Sequence, residues 1–439
     1  MLSIMKAGFS RVDITPASPV WMDGMIRAHK STGVHDPIFA RVIVLSGGSR
    51  PADGFAICSL DLCALSDEDC REIRGAAEKQ TGIPRDRIIL AATHSHSGPA
   101  TVGFFGDRED AYVRELKEKT VAAIRNAAAV MVPAAAGCAS GREETISHYR
   151  RLLADDGHVV MNWEPWPAER LVGPLGVIDP EVGVMKVVSG DGAATSLGFL
   201  FNHAGHPNVM SGDNYLITPD YPGRAENLVE KALGGTAVFV NGAQGTMDID
   251  GLKDRDWAGV ERVGRALADE VVATARQIVP NSNVRLRSAS RSYSIPVRKI
   301  SDDEKAWAEN IVKKTGGALK PVADGVGDDY KAELFLRLWN KRQEEVSLEQ
   351  ICLAVDDCAF LSFPGELFTE IGMRIKAESP FRHTYILGLA NGCVGYVPTR
   401  KAIREGGYES ETRELDDSAE EVVVEQSLAL LRSVKDLKA

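Results

Sequence analysis

The sequence predicts an α/β fold, a large mixed sheet or sheets packed by helices, and three observations carry that prediction. Short apolar, strand-like runs alternate along the chain with stretches whose apolar residues recur at helical spacing. The 439 residues exceed a typical domain yet show no clean linker and no internal repeat, and a large sheet with insertions absorbs that length. Polar clusters recur just beyond the strand-like runs, where open α/β sheets gather ligands.

Composition narrows the function. The net charge of -11 argues against nucleic acid and against an anionic membrane surface, and leaves a small-molecule substrate as the partner to expect. Seven cysteines form no C-x-x-C pair. Cys58, Cys352 and Cys358 sit in apolar runs and read as buried, reduced thiols of a cytoplasmic protein. Met1 to Lys6 is too short and too polar for a signal peptide. No apolar run reaches the ~18 residues of a spanning helix, so stable membrane insertion is not expected. Homo-oligomerisation is left open.

Taken in order, residues 7–18 alternate and stop at a proline, as a short strand and turn do. His35 and Asp36 precede the strand-like run Ile38 to Leu45, and read equally as a site wall or a turn. Phe55 to Leu65 is a second such run, interrupted by Asp61, which reads as an acceptor for a metal-bound imidazole or as a structural carboxylate. Ser66 opens a helix with acids in its first turn. The run Arg87 to Ala91 leads into Thr93-His94-Ser95-His96-Ser97-Gly98-Pro99. Residues 110–130 form an amphipathic helix, and 145–163, with Arg150 and Arg151, is less regular. A strand over 195–201 runs into Asn202-His203-Ala204-Gly205-His206-Pro207. A helix ends near Leu233, and the strand Ala237 to Val240 runs into Asn241-Gly242-Ala243-Gln244-Gly245. There, small residues suit close approach of backbone to a ligand, with Asn241 and Gly242 as substrate contacts. A helix over 257–276 and a strand over 283–297 follow. Ser301 to Glu304 is a capping box, and the loop and helix of 317–345 read as an insertion over a site or as plain packing. Apolar runs at 351–355 and 359–363 lead to Pro364-Gly365-Glu366 and a helix to Ala377. A strand from Thr384 to Leu389 precedes Tyr396, and an acidic helix closes the chain.

His94, His206, Glu366 and Tyr396 each lie just past a strand-like run. Two neutral imidazoles and a carboxylate suit zinc with an open position, which acidifies water and polarises a carbonyl.

These segments resemble the N-terminal catalytic domain of the neutral (alkaline, non-lysosomal) ceramidase family. The matching pieces are Thr93 to Pro99, Ala204-Gly205-His206-Pro207, Asn241 to Gly245, Pro364-Gly365-Glu366, and Tyr396-Val397-x-Thr399 with Tyr408 at the family spacing. They occur in family order across most of the chain. The resemblance implies one zinc per chain, held by His94, His206, Glu366 and Tyr396. It implies that His96 faces substrate or supports a ligand, that Tyr408 meets substrate or the developing oxyanion, and that Arg150 binds a substrate oxygen. His203 is not the matching ligand, and reads as orienting His206 or capping its strand. Where the family has a catalytic serine, this chain has Asp248, a carboxylate suited to general base work.

The sequence thus predicts a single ceramidase-like catalytic domain over 1–439, with a helical insertion at 301–345 and no C-terminal immunoglobulin-like domain. The predicted activity is zinc-dependent cleavage of an amide-type C–N bond. The substrate expected is a soluble N-acyl compound and not ceramide, because the immunoglobulin-like domain and secretion signal that serve extracellular lipid substrates are missing. Asp248 or His96 would move the proton. Ester or lactone hydrolysis is the alternative chemistry; a non-catalytic metal- or small-molecule-binding protein is the alternative class.

Overall fold

The computed structural model describes residues 5–190, 195–249 and 255–437. Its strands fall into three units with the same connectivity. In the first, β1 (Lys6–Asp13), β2 (Phe39–Ser46) and β3 (Gly54–Leu60) form an antiparallel meander. Helix α1 (Asp67–Thr81) then crosses over to β4 (Ile88–Ala92), which lies parallel to β3, and α2 (Asp110–Ala129) follows. The second unit repeats this plan: β5 (Val132–Arg142), β6 (Glu181–Ser189), β7 (Ser196–His203), crossover helix α3 (Asp220–Leu233), parallel β8 (Thr236–Asn241), then α4 (Trp257–Gln277). The third unit begins with β9 (Leu286–Pro296) and the helical pair α5 (Asp302–Thr315) and α6 (Asp328–Asn340). It continues with β10 (Glu345–Val355), β11 (Cys358–Ser362), crossover helix α7 (Thr369–Glu378) and parallel β12 (His383–Leu387). Two short helices, α8 (Arg400–Glu405) and α9 (Tyr408–Thr412), precede α10 (Ala419–Asp436).

Units one and two merge into one eight-stranded mixed sheet, β8-β7-β6-β5-β1-β2-β3-β4. In the sheet their strands pair at Lys6–Pro133 and Ala7–Val132. The repeat escapes a sequence reading because the three units share topology and side-chain alternation, not residues.

Strand periodicity explains the layers. Along β10, Ile351, Leu353 and Val355 face a central core, while Cys352 and Ala354 face α7 and α10. The central core draws residues from all three units, among them Leu45, Ile57, Leu200, Val240, Phe360 and Leu387. Each unit's helices cover its outer face, as Leu116 of α2 and Val263 of α4 do. Burying side chains on both faces removes both from water, at roughly 25 cal/mol per Å² of apolar surface, and holds the strand ends still. The pair α5–α6 has its own small core, in which Trp307 packs on Phe335.

The helix starts follow the sequence chemistry. Ser66 Oγ accepts from the Asp69 amide, and Ser301 and Glu304 form the reciprocal box. Two expectations need correction. β3 stops at Leu60, so Asp61 lies beyond the strand, where it accepts from the Phe39 amide and faces Arg41, the structural of its two readings. The helix expected from Glu366 begins at Thr369, because Glu366–Leu367 is a short strand. Segment 145–163 holds three short strands, Ser147–Tyr149, Arg151–Ala154 and Val159–Met161. All seven cysteines are free, and Cys58, Cys352 and Cys358 are buried.

Candidate metal centre

The loops after the third and fourth strands of the units meet at one place. His94 follows β4, His206 follows β7 and Glu366 follows β11. The Glu366 and Tyr396 residues are in-register partners of a two-residue parallel ladder, so both side chains leave it on one side. The His94–His96 segment is not extended, since His94 sits at φ +72° in the left-handed region. The two rings still meet, with Nε2 atoms 3.2 Å apart and planes at 84°.

Backbone carbonyls set the tautomers. His94 Nδ1 donates to the Cys63 carbonyl at 2.9 Å, and His206 Nδ1 donates to the Met247 carbonyl at 2.9 Å. Each Nε2 is therefore a bare lone pair, and each points at Glu366 Oε2, at 3.3 Å and 3.2 Å. Oε2 is buried and receives no hydrogen bond. Three buried acceptor atoms that converge without a proton between them repel unless a cation lies among them. The donor set of two imidazoles and a carboxylate suits a divalent ion of zinc type. Tyr396 Oη lies 3.5 Å from His206 Nε2 and is a fourth candidate.

Charge surrounds the cluster. Arg150 Nη1 lies 3.1 Å from His206 Nε2 and its Nη2 is buried without a partner. Fully buried Glu409 takes Arg150 Nε on one oxygen at 2.7 Å and Arg151 Nη1 on the other at 3.0 Å. Successive positions on the chain thus send one guanidinium to the cluster and the other to the Gly406 carbonyl, which separates the roles of Arg150 and Arg151. Burial drives the Glu366 carboxyl up, and only positive charge at His94 and His206, or a cation in its place, holds the group well below the usual carboxylate range. Burial, then the neighbouring His94 and His206, holds His96 well below an ordinary imidazole. Burial, then Glu366 and Tyr408, raises Tyr396 well above an ordinary phenol.

A cleft of about 110 Å³ opens over the cluster. His94, His96, Glu366, Tyr396 and Tyr408 line its floor, and Phe104, Phe105, Tyr330, Leu334 and Arg337 are in its walls. The helix α6 therefore faces the site. Gly24 lies against the His96 ring, where any Cβ would stand 2.4 Å from the imidazole.

Five expected residues sit outside that lining: His206 and Arg150, which belong to the cluster itself, and Asn241, Gly242 and Asp248. Asn241 Nδ2 donates to the Thr93 and Gly205 carbonyls, so it ties the loop of His94 to that of His206 with no group left for a ligand. The Gly242 amide donates to the Asn241 side chain and the His203 carbonyl. Asp248 is fully buried, accepts from Asn162 Nδ2 at 3.1 Å and from the Ile249 amide at 2.8 Å, and its acidity is restored against burial by Arg255, His148, Arg150 and His206. His203 bonds Ser147 and the Glu181 carbonyl, and does not orient His206. His35 stacks on Trp257 away from the cleft. Sequence reasoning missed Cys63, Glu409 and the walls Phe104, Phe105 and Tyr330. Of these only Glu409, next to Tyr408, carried a signal: an acid that must answer two adjacent arginines.

Residues 5–249 match the family described as neutral/alkaline non-lysosomal ceramidase, N-terminal. Among solved structures, the neutral ceramidase from Pseudomonas aeruginosa superposes with a TM-score of 0.74 at 19% identity, over 99% of this chain and 75% of that one. A ceramidase complexed with C2 gives 0.75 at 18% identity, over 99% and 76%. At these identities the likeness is one of fold. Among the described residues no helix is long and apolar enough to cross a membrane.

Proposed function

The chain belongs to the neutral/alkaline non-lysosomal ceramidase family, and from that premise we propose that it is a zinc-dependent hydrolase cleaving the amide C–N bond of a small N-acyl compound. A hydrolase of the neutral ceramidase type is what family and fold support. The finer reading rests on one observation: the lone pairs of His94 and His206 both meet the donorless oxygen of Glu366 at the floor of a cleft.

In this reading His94, His206, Glu366 and Tyr396 hold the ion, which supplies Lewis-acid polarisation of the acyl carbonyl when bound. The protein's own groups do the rest. The Cys63 and Met247 carbonyls keep both Nε2 atoms free of protons. Arg150, whose Nη2 lacks a partner, donates to the acyl oxygen and to the negative charge that develops there. Tyr408 donates to the same oxygen from the cleft floor. As a water oxygen bonds to the acyl carbon, His96 takes the water's proton on a ring nitrogen. It returns that proton to the amine nitrogen as the C–N bond breaks. His96 suits this step because its Nδ1 is free of any partner and its ring lines the cleft. Asp248, held by Asn162, supports the positive charge of Arg150 and does not move the proton. Within the insertion 301–345 of a single catalytic unit, helix α6 walls the site.

The test is metal content by elemental analysis together with turnover of matched amide, ester and lactone panels. About one zinc per chain with amide turnover supports the proposal. A metal-free protein after zinc supply, or turnover confined to esters and lactones, overturns it.

A further inference from the structure

One face of α6 forms a wall of the cleft, with Tyr330, Leu334 and Arg337 at i, i+4 and i+7. Tyr330 lies at the deep end. Its ring packs on Phe105 at 5.0 Å, and burial pushes its hydroxyl up to about 12. Arg337 lies at the exposed end, two helical turns or about 10 Å further out. The cations on either side of it are neutralised: Lys331 pairs with Glu411 and Lys341 with Glu414. Glu414, which also lines the cleft, is thereby answered. Among the described residues Arg337 has no acidic partner and no hydrogen bond.

The cleft therefore has a polar floor, an apolar middle of Phe104, Phe105, Leu334 and Val394, and one unanswered guanidinium at its mouth. We propose that the substrate is an amide with an apolar arm ending in an anionic group, and that Arg337 receives that group. This rests on the hydrolase reading above. The arm leaves water against the aromatic wall. The anion stays at the mouth, where it keeps part of its hydration and gains a charge-assisted pair with a planar, two-donor partner. A carboxylate, a sulfonate or a phosphate would serve, since each offers a pair of acceptor oxygens on one centre.

The experiment compares two eight-carbon acyl p-nitroanilides, one ending in a methyl group and one in an ω-carboxylate. Turnover and calorimetric binding are measured on the metal-loaded enzyme, for wild type, Arg337→Ala and Arg337→Glu. Wild type should favour the carboxylate by about two- to fivefold in both readouts, as an exposed ion pair does. The preference should vanish in Arg337→Ala, reverse in Arg337→Glu, and weaken in 0.5 M salt. Equal binding of the two anilides by wild type, or a preference that survives Arg337→Glu, would overturn the inference and leave the hydrolase reading intact. A carboxylate preference in binding with neither anilide cleaved would overturn the hydrolase reading and leave Arg337 as an anion anchor.

Discussion

Units one and two of the eight-stranded sheet match strand for strand, yet they put different chemistry at the same position. Three residues beyond β3 stands Cys63; three beyond β7 stands His206. The first offers its backbone carbonyl to His94 Nδ1, and the second offers its ring to Glu366. The same loop of unit three supplies Glu366 itself. Three copies of one plan thus build one centre and not three, because each loop fills a different office: orienting carbonyl, imidazole, carboxylate. The crossover helices differ as well. The start of α1 is capped by Ser66 with Asp67 exposed, whereas α3 starts at fully buried Asp220.

The comparison is sharpest at its largest effect. His206→Ala should lower metal content from about one per chain to near zero and cut turnover by about a thousandfold, since a lost ligand removes Lewis-acid stabilisation worth several kcal/mol. Elemental analysis and turnover of one amide read both. Metal retained in full would break the assignment of the unit-two loop as a ligand.

Glu409→Gln should cost about 3–5 kcal/mol of stability, because two buried guanidiniums then share no anion. Urea unfolding measures it. A loss under about 1 kcal/mol would mean that the arginines find other partners.

Asp220 makes the start of the unit-two crossover helix pH-sensitive. Burial raises its pKa from 3.8 to about 6, against hydrogen bonds from the Met210 and Tyr221 amides. The folded state therefore holds its proton more tightly than the unfolded state. The stability from this group is full below about pH 4 and is lost as pH rises through about 6. Wild-type stability relative to Asp220→Asn should fall by roughly 2 kcal/mol between pH 4 and pH 7. A difference that stays flat with pH would show Asp220 ionised throughout.

The smallest expected effect is the most informative about the matched loops. Cys63→Ser should leave metal affinity within about threefold, because the orienting acceptor is the backbone carbonyl and survives the change. A large loss would make the Cys63 thiol, 3.6 Å from His94 Nδ1, a ligand in its own right.

The sequence by itself determined the fold class and the ligand set to be tested. Alternating apolar residues need a pleated surface, helical spacing needs a face to bury, and His, Glu and Tyr just past strand ends need a reason to gather. Family order joined His94, His206, Glu366 and Tyr396 across most of the chain. Only the tertiary structure decided which polar groups are free to act. Asn241 and Gly242 read as ligand contacts until their hydrogen bonds proved to be satisfied between two loops. Asp61 read equally as a partner for an imidazole or as a structural carboxylate, and its bond to the Phe39 amide fits the second. Arg150 and Arg151 are indistinguishable as letters, and the shared Glu409 sends them apart. The threefold topology, the donorless oxygen of Glu366 and the unanswered charge of Arg337 are properties of how distant segments meet. A hydrogen bond left unmade, or a charge left unpaired, is decided by neighbours hundreds of residues away, and residue identity alone does not name those neighbours.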